Sequence, residues 1–200
     1  MLRSSIFRLS LYYRVLKEKV NESISSSELA ELAGVNASQV RKDLSQFGQF
    51  GIRGKGYKGD ELRRHLQGIL GLDRKWCIAL IGVGNLGFAL LNYSGFRKDG
   101  FKFCAAFDNS LAKIGKTWGG VKIHDISELN ETIHKKDIKI GIITVPAREA
   151  PKIADMLVEA GIKGILNFAP VKIDVPKDVK LVNVDLSIQL EGLSYYLKDN

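Results

Sequence analysis

Six consecutive residues, Gly82-Val83-Gly84-Asn85-Leu86-Gly87, carry the pattern GxGxxG. They follow the apolar run Cys77–Ile81 and precede a stretch patterned as a helix. In that setting the pattern is a phosphate-binding turn. The first glycine permits the tight turn. The second lets the backbone approach a pyrophosphate. The third lets helix and strand pack closely, and the helix N-terminus offers free amides to the anion. Asp108 lies 21 residues beyond Gly87, at the end of the next apolar run. A carboxylate there can accept from a ribose 2′-hydroxyl and would repel a 2′-phosphate, which favours NAD and NADH over their phosphorylated counterparts. A similar fold whose nucleotide site is empty or differently used is the alternative.

A second chemistry lies upstream. Ser38, Arg41, Lys42, Ser45 and Gln46 fall on one side of a helical stretch, and Val40, Leu44 and Phe47 fall on the other. Arginine and lysine suit guanine edges and phosphates, and serine and glutamine suit either. Arg53 and Lys55 follow among closely spaced glycines, where a slender loop can enter a minor groove. A merely solvated basic face is the alternative for Arg41 and Lys42. Charge supports the first reading. Residues 1–75 hold 14 Lys and Arg against 8 Asp and Glu, a net +6, while the remainder nets +2 of the total +8.

A dehydrogenase needs an acid or base near the reacting carbon. His65 lies upstream, His124 sits in an ordinary strand-to-helix connection, and His134 precedes two lysines at a helix end. None has a catalytic setting, so we expect no enzyme activity and no small-molecule substrate. Cys77 and Cys104 lack CxxC spacing and read as buried free thiols in a reducing cytoplasm. There is no metal-ligand cluster and no stretch long enough to span a bilayer. Residues 1–17, with Arg3, Arg8, Arg14, Lys17 and no acid, have a transit-peptide-like composition. Ile6, Leu9, Tyr13 and Leu16, however, share one helical face, as in a folded first helix.

The elements that must position these groups follow. Helices are expected at 5–20, 26–33, 37–46 and 61–70. Ser25-x-x-Glu28 is a capping box, and Asn36-x-x-Gln39 is a second capping signal. Two capped helices joined at Gly34 have helix-turn-helix spacing, and the glycine-rich stretch reads as a hairpin, or wing. Strands at 76–81, 101–107, 120–123, 138–144, 163–167 and 179–183 alternate with helices at 86–97, 126–134, 148–160 and 186–198, which argues for a parallel sheet covered by helices. The fold class is therefore α/β: a winged-helix domain at 1–75, a Rossmann-like domain at 76–184, and a C-terminal helix at 185–200. Leu186, Leu190, Leu193 and Leu197 give that helix an apolar stripe, which must be buried against a second copy or its own domain.

Taken in order, Ser38–Ser45, Arg53–Tyr57, Gly82–Gly87, Thr144-Val145-Pro146, Gly161–Pro170 and Val184-Asp185 resemble the Rex family of redox-sensing transcriptional repressors over nearly the whole chain. The resemblance implies a homodimer with swapped C-terminal helices. It implies repression at palindromic operator DNA and release by NADH, with NAD competing for the same site. It implies that Lys42 reads bases, Arg41 holds phosphate and Arg53 enters the minor groove, with Ser38, Gln39, Ser45 and Lys55 beside them. Tyr93 would lie near the nicotinamide, and Thr144, Val145, Pro146 and Asn167 would line the cofactor site. Arg14 and the partner's Asp185 would form a state-dependent ion pair. Leu186 departs from the family, where some members place an aromatic ring against the cofactor. A small NAD-dependent oxidoreductase and a CoA-binding regulator are the competing readings. The stretch Thr144–Phe168 also resembles CoA-binding Rossmann domains.

Overall fold

The computed structural model describes residues 2–19, 23–51 and 55–198. The chain divides into two compact units, Met1–Arg74 and Lys75–Asn200.

In the first unit, α1 spans Leu2–Glu18, α2 Ser26–Ala33, α3 Ala37–Ser45 and α4 Gly59–Ile69. Both capping signals form. Ser25 and Glu28 close a reciprocal box, the Asn36 side chain accepts from the Gln39 amide, and Gly34 ends α2 at φ 67°. The buried face of α1 is rotated from the one expected. Ser5, Leu9, Tyr12 and Leu16 point inward while Ile6 is exposed. The reason is a polar partner on α3, described below. The wing differs as well. Strand β1, Ser23–Ile24, pairs antiparallel with β2, Tyr57–Lys58, so the returning strand pairs with the segment before α2 rather than with 47–51. Close passage depends on glycine. A Cβ on Gly51 would sit 2.4 Å from the Gly56 carbonyl oxygen, and one on Gly56 would sit 2.6 Å from that of Ile24.

In the second unit the strands are β3 (Trp76–Ile81), β4 (Phe101–Asp108), β5 (Thr117–Trp118), β6 (Val121–Asp125), β7 (Ile140–Ile143), β8 (Gly164–Asn167) and β9 (Lys180–Asn183). Their spatial order is β5-β6-β4-β3-β7-β8-β9. All pairs are parallel except the short edge pair β5–β6. Apart from that edge, this is the 3-2-1-4-5-6 order of dinucleotide-binding sheets, whose ligand crevice opens where the order reverses, between β3 and its neighbours. The helices are α5 (Asn85–Asn92), α6 (Ser94–Lys98), α7 (Leu129–Lys135), α8 (Ala150–Glu159) and α9 (Leu186–Leu197). One face of the sheet packs Ala79, Ile81, Phe107 and Ile143 against Ile133, Ala154 and Leu157 of α7 and α8. The other packs Ile78, Leu80 and Phe103 against Leu91 and Phe96 of α5 and α6. The sheet is thus covered on both faces, which is why its strands read as nearly continuous apolar runs.

The cysteines are not free thiols. Cys77 and Cys104 form a disulfide between neighbouring strands. The β3–β4 register shifts after Ile78, so that Ile78 faces Phe103 while Ala79 faces Ala105, and Cys104 is the extra residue of that bulge. Parallel neighbours are far apart in sequence, so the spacing of the two cysteines carried no sign of the contact. A crosslink over 27 residues restricts the unfolded chain by about 3.5 kcal/mol in the loop-entropy model. Reduction should therefore lower the melting temperature of the second unit by several degrees, and a Cys77→Ser/Cys104→Ser chain should ignore the reductant. Calorimetry with and without reductant checks this. Two free thiols titrating in the unreduced, denatured chain would contradict it.

Candidate DNA-binding and nucleotide-binding sites

The buried side of α3 is built around an acid that the sequence reading passed over. Asp43 is fully buried. Its carboxylate accepts from Ser5 Oγ at 3.1 Å, Arg8 Nε at 2.5 Å, Arg8 Nη2 at 2.6 Å, Tyr12 Oη at 2.9 Å and Gln39 Nε2 at 2.8 Å. Burial alone would raise this carboxyl. The hydrogen bonds from Arg8, Gln39, Tyr12 and Ser5 outweigh burial and hold it at about 2. The opposite side of α3 is open, with Ser38, Arg41, Lys42 and Ser45 all exposed. Arg41 Nη1 donates to Ser26 Oγ at 2.9 Å, and Ser38 Oγ donates to Asn36 Oδ1 at 2.6 Å. Gln39 stands apart from these, because its amide is turned inward to Asp43. A groove of about 600 Å³ runs beside Arg41 and Ser45 to Gly48, Gly51 and Gly56. Lys55 is exposed next to it, and Arg53 lies outside the described residues. The spacing of Ser5, Arg8 and Tyr12, one helical face aimed at an acid, was the available signal for Asp43.

In the second unit the six-residue turn sits at the C-terminal end of β3. Each glycine has a distinct reason. Gly82 has φ 95°, and a Cβ there would lie 2.8 Å from the Thr144 carbonyl oxygen. A Cβ on Gly87 would lie 2.2 Å from the Gly82 carbonyl oxygen, so α5 can meet β3 only without a side chain. Thr144 closes the knot, its Oγ1 donating to the Gly82 carbonyl oxygen at 2.7 Å. Gly84 is different, since a Cβ there would meet nothing within 4 Å. Nothing in the protein crowds it, and α5 begins there with no side-chain cap. The open space and free amides fit a phosphate group.

A cavity of about 610 Å³ extends from this turn, lined by Gly82, Gly84, Asp108, Lys113, Thr144, Val145 and Pro146 among others. That volume suits a small-molecule cofactor. Asp108 accepts from Val83 N at 2.8 Å, Ser110 N at 2.9 Å and Lys113 Nζ at 3.0 Å. Burial raises its carboxyl, and Lys113 with the two amides more than offsets this and lowers it. A carboxylate has about four acceptor positions, so one is left for a ribose hydroxyl. Lys113 is the residue the sequence reading missed. Only its place five residues after Asp108 hinted at it.

Asn167 and Tyr93, also expected at the cofactor, do not line this cavity. Asn167 is fully buried. Its amide donates to the Ala169 carbonyl oxygen and to Asn183 Oδ1, and its own oxygen accepts from the Ala169 amide, so it ties the end of β8 to that of β9. Tyr93 is exposed at the α5–α6 junction, edge-on to Phe96. Asn85 and Leu86 form the first turn of α5. Asp185 caps α9, accepting from the Ser187 amide at 2.9 Å, and Arg14 is exposed on α1. Among the described residues no cluster could hold a metal, and no helix is long and apolar enough to cross a membrane. His124 Nδ1 lies 3.0 Å from Glu128 Oε2, and His65 Nδ1 lies 2.8 Å from the Glu61 carbonyl oxygen. Neither histidine lines the cavity beside Asp108.

Residues 3–45 match a family model described as the N-terminus of putative DNA-binding proteins, and residues 73–171 match one described as a CoA binding domain. The redox-sensing transcriptional repressor Rex of Syntrophobacter fumaroxidans is 47% identical over 97% of this chain and 94% of its own length. That of Desulfitobacterium hafniense is 48% identical over 96% and 93%. The crystal structure of RSP in complex with β-NAD+ and operator DNA is 43% identical. It superposes with a TM-score of 0.93 over 98% of this chain and 92% of that one. RSP in complex with β-NADH gives 42% and 0.88 over 98% and 93%.

The low carboxyl of Asp43 has a stability consequence. It is ionised when folded down to about pH 2, against about 3.9 for an unperturbed aspartate. Its contribution, on the order of 2 kcal/mol, is therefore complete above pH 4 and lost as pH falls toward 2. Urea midpoints of the first unit measured from pH 5 to 2 should fall less steeply in Asp43→Asn than in the parent. Parallel curves would remove Asp43 from this role.

Proposed function

This chain belongs to the Rex family of redox-sensing transcriptional repressors, and we propose that it binds palindromic operator DNA as a homodimer and leaves it when NADH fills the cavity beside Asp108. It is a repressor and not an enzyme. The observation that carries the reading is the joint presence, in one chain, of the solvent-facing Arg41 and Lys42 on α3 and the uncrowded Gly84 turn with a free acceptor on Asp108. Lys42 reads base edges, Arg41 holds a phosphate beside Ser26, and Arg53 and Lys55 follow the minor groove. Gly82–Gly87 receive the pyrophosphate of NAD or NADH, Asp108 takes the adenosine ribose, and Thr144, Val145 and Pro146 border the dinucleotide. Tyr93, exposed outside the cavity beside Asp108, is assigned to the nicotinamide end of the cofactor. We assign the chain to the cytoplasm, where a bacterial repressor of this family meets its operator.

The dimer reading rests on α9. Leu186, Ile188, Leu190, Leu193, Tyr195, Tyr196 and Leu197 are all at least 59% exposed, an apolar area that one copy leaves uncovered. Exposed apolar area of this size marks an interaction surface. A second copy, with α9 exchanged between subunits, covers it. Two reading helices can occupy a palindrome only if the dimer holds them at half-site spacing. NADH disfavours that arrangement only by binding another arrangement better. We assign the difference to Arg14 and Asp185 of the partner subunit, paired in one state and apart in the other.

NADH should lower operator affinity and should bind far more tightly than NADPH or acetyl-CoA. Asp108→Ala should weaken NADH binding and narrow the gap to NADPH. Fluorescence titration against the three ligands measures this, and equal affinity of the parent for NADH and NADPH would refute the ribose role of Asp108. For the last helix, a chain ending at Val184 should scatter light as a monomer or aggregate, whereas a clean dimer would move the interface elsewhere. Asp185→Ala should keep NADH binding yet change how far NADH lowers operator affinity. Unchanged coupling free energy would exclude it from the switch.

A further inference from the structure

A carboxylate with five hydrogen bonds and no solvent access is an unusual object to find on the helix that meets DNA. Asp43 follows directly after Arg41 and Lys42, and at about 100° per residue its side chain leaves α3 nearly opposite Arg41 and a quarter-turn round from Lys42. It is fully buried, so it cannot touch DNA itself. Every donor but Gln39 comes from α1, and Gln39 lies one turn back on α3 itself. Arg8 engages both carboxylate oxygens with a planar fork, Nε to Oδ2 and Nη2 to Oδ1, and Nη2 also donates to Ser5 Oγ at 3.2 Å. A bidentate fork fixes direction as well as distance. Tyr12 Oη then meets Oδ2, and Ser5 Oγ meets Oδ1. Apolar neighbours such as Leu9, Val40 and Leu44 pack in the same core, but the hydrophobic drive that buries them carries no direction of its own, whereas the fork does.

We propose that Asp43 is the positioning residue of the DNA reader: pinned by Arg8, Tyr12 and Ser5 of α1, it sets the roll of α3 and so aligns Lys42 and Arg41 for operator discrimination. The inference rests on α3 being the reader. The magnitudes decide which binding mode is sensitive. Side chains on a helix reach about 5–6 Å from its axis, so a 10° roll moves their ends by about 1 Å. Hydrogen bonds to base edges fail over less than that. Attraction between a mobile cation and a phosphate changes little over it. Gln39 belongs to the same device. Its amide serves Asp43, which withdraws it from the set of base readers.

The test compares operator with a scrambled duplex of equal length and composition, at several salt concentrations, for the full-length chain. Asp43→Asn keeps the shape and removes the charge. It should lose at least tenfold in operator affinity, while the scrambled duplex changes less than threefold, the salt slope is retained and NADH affinity is unchanged. A merely structural role would weaken both duplexes together, and that result, or intact discrimination, overturns the proposal. Lys42→Ala runs beside it. If that variant also keeps full discrimination, α3 is not the reader and the premise has failed instead. If Asp43→Asn does not fold, as judged by the melt of the first unit, Tyr12→Phe and Gln39→Leu carry the test. Each removes one donor without stranding a charge, and each should cost about threefold on the operator alone. Equal loss on both duplexes would again overturn the assignment.

Discussion

At Gly87, α5 approaches the end of β3 so closely that a single added carbon would lie 2.2 Å from the Gly82 carbonyl oxygen. That approach fixes the first turn of α5 over the crevice where the strand order reverses. Thr144, at the end of the neighbouring β7, ties the same carbonyl from the other side. The turn is therefore held by backbone, by one hydroxyl and by the Asp108 carboxylate, which takes the Val83 amide. Around Gly84, where a Cβ would meet nothing within 4 Å, the way to an incoming anion is open. The cavity, the placement of Asp108 and the exposure of Gly84 all follow from this steric constraint. The protein had to leave carbon out at these positions to make a site.

Two buried acids illustrate how environment divides roles between identical groups. Asp43 and Asp108 are both shielded from water and both held in the ionised form by donors. Asp43 has five hydrogen bonds from four side chains, and its oxygens are saturated. Such a group can orient its neighbours but cannot bind anything further. Asp108 has three, two of them from backbone amides, keeps an acceptor position, and lines the cavity. Counting acceptor positions separates a positioning acid from a ligand-binding one where residue type and burial do not.

A repressor that answers to a cofactor needs only modest energy to do so. A tenfold change in operator affinity is about 1.4 kcal/mol, which is one charge-assisted contact made in one state and not the other. The architecture offers a route of that size. α1 carries Arg8, which is tied to α3 through Asp43, and Arg14 less than two turns further along. A contact that shifts α1 is passed to α3 through a directional ion pair instead of through yielding apolar packing.

Much of this was legible in the residues themselves, because it depends on local rules. The capping box at Ser25, the cap at Asn36, the glycine at the end of α2, the strand from Trp76 to Ile81 and the phosphate-binding turn are each set by neighbours within a few positions, and the apolar runs already pointed to the parallel sheet. What the tertiary structure decided involves partners distant in sequence. Asp43 meets Arg8 across 35 residues, Cys77 meets Cys104 across a strand pair, and β2 finds β1 rather than the adjacent segment. Asn167, whose position in its motif pointed to a cofactor, is instead engaged by the end of β9. The inward face of α1 turned on the same principle. Hydrophobic periodicity placed Ile6 inside, but a buried carboxylate must be satisfied, and the face that supplies Ser5, Arg8 and Tyr12 to Asp43 is the one that became the core.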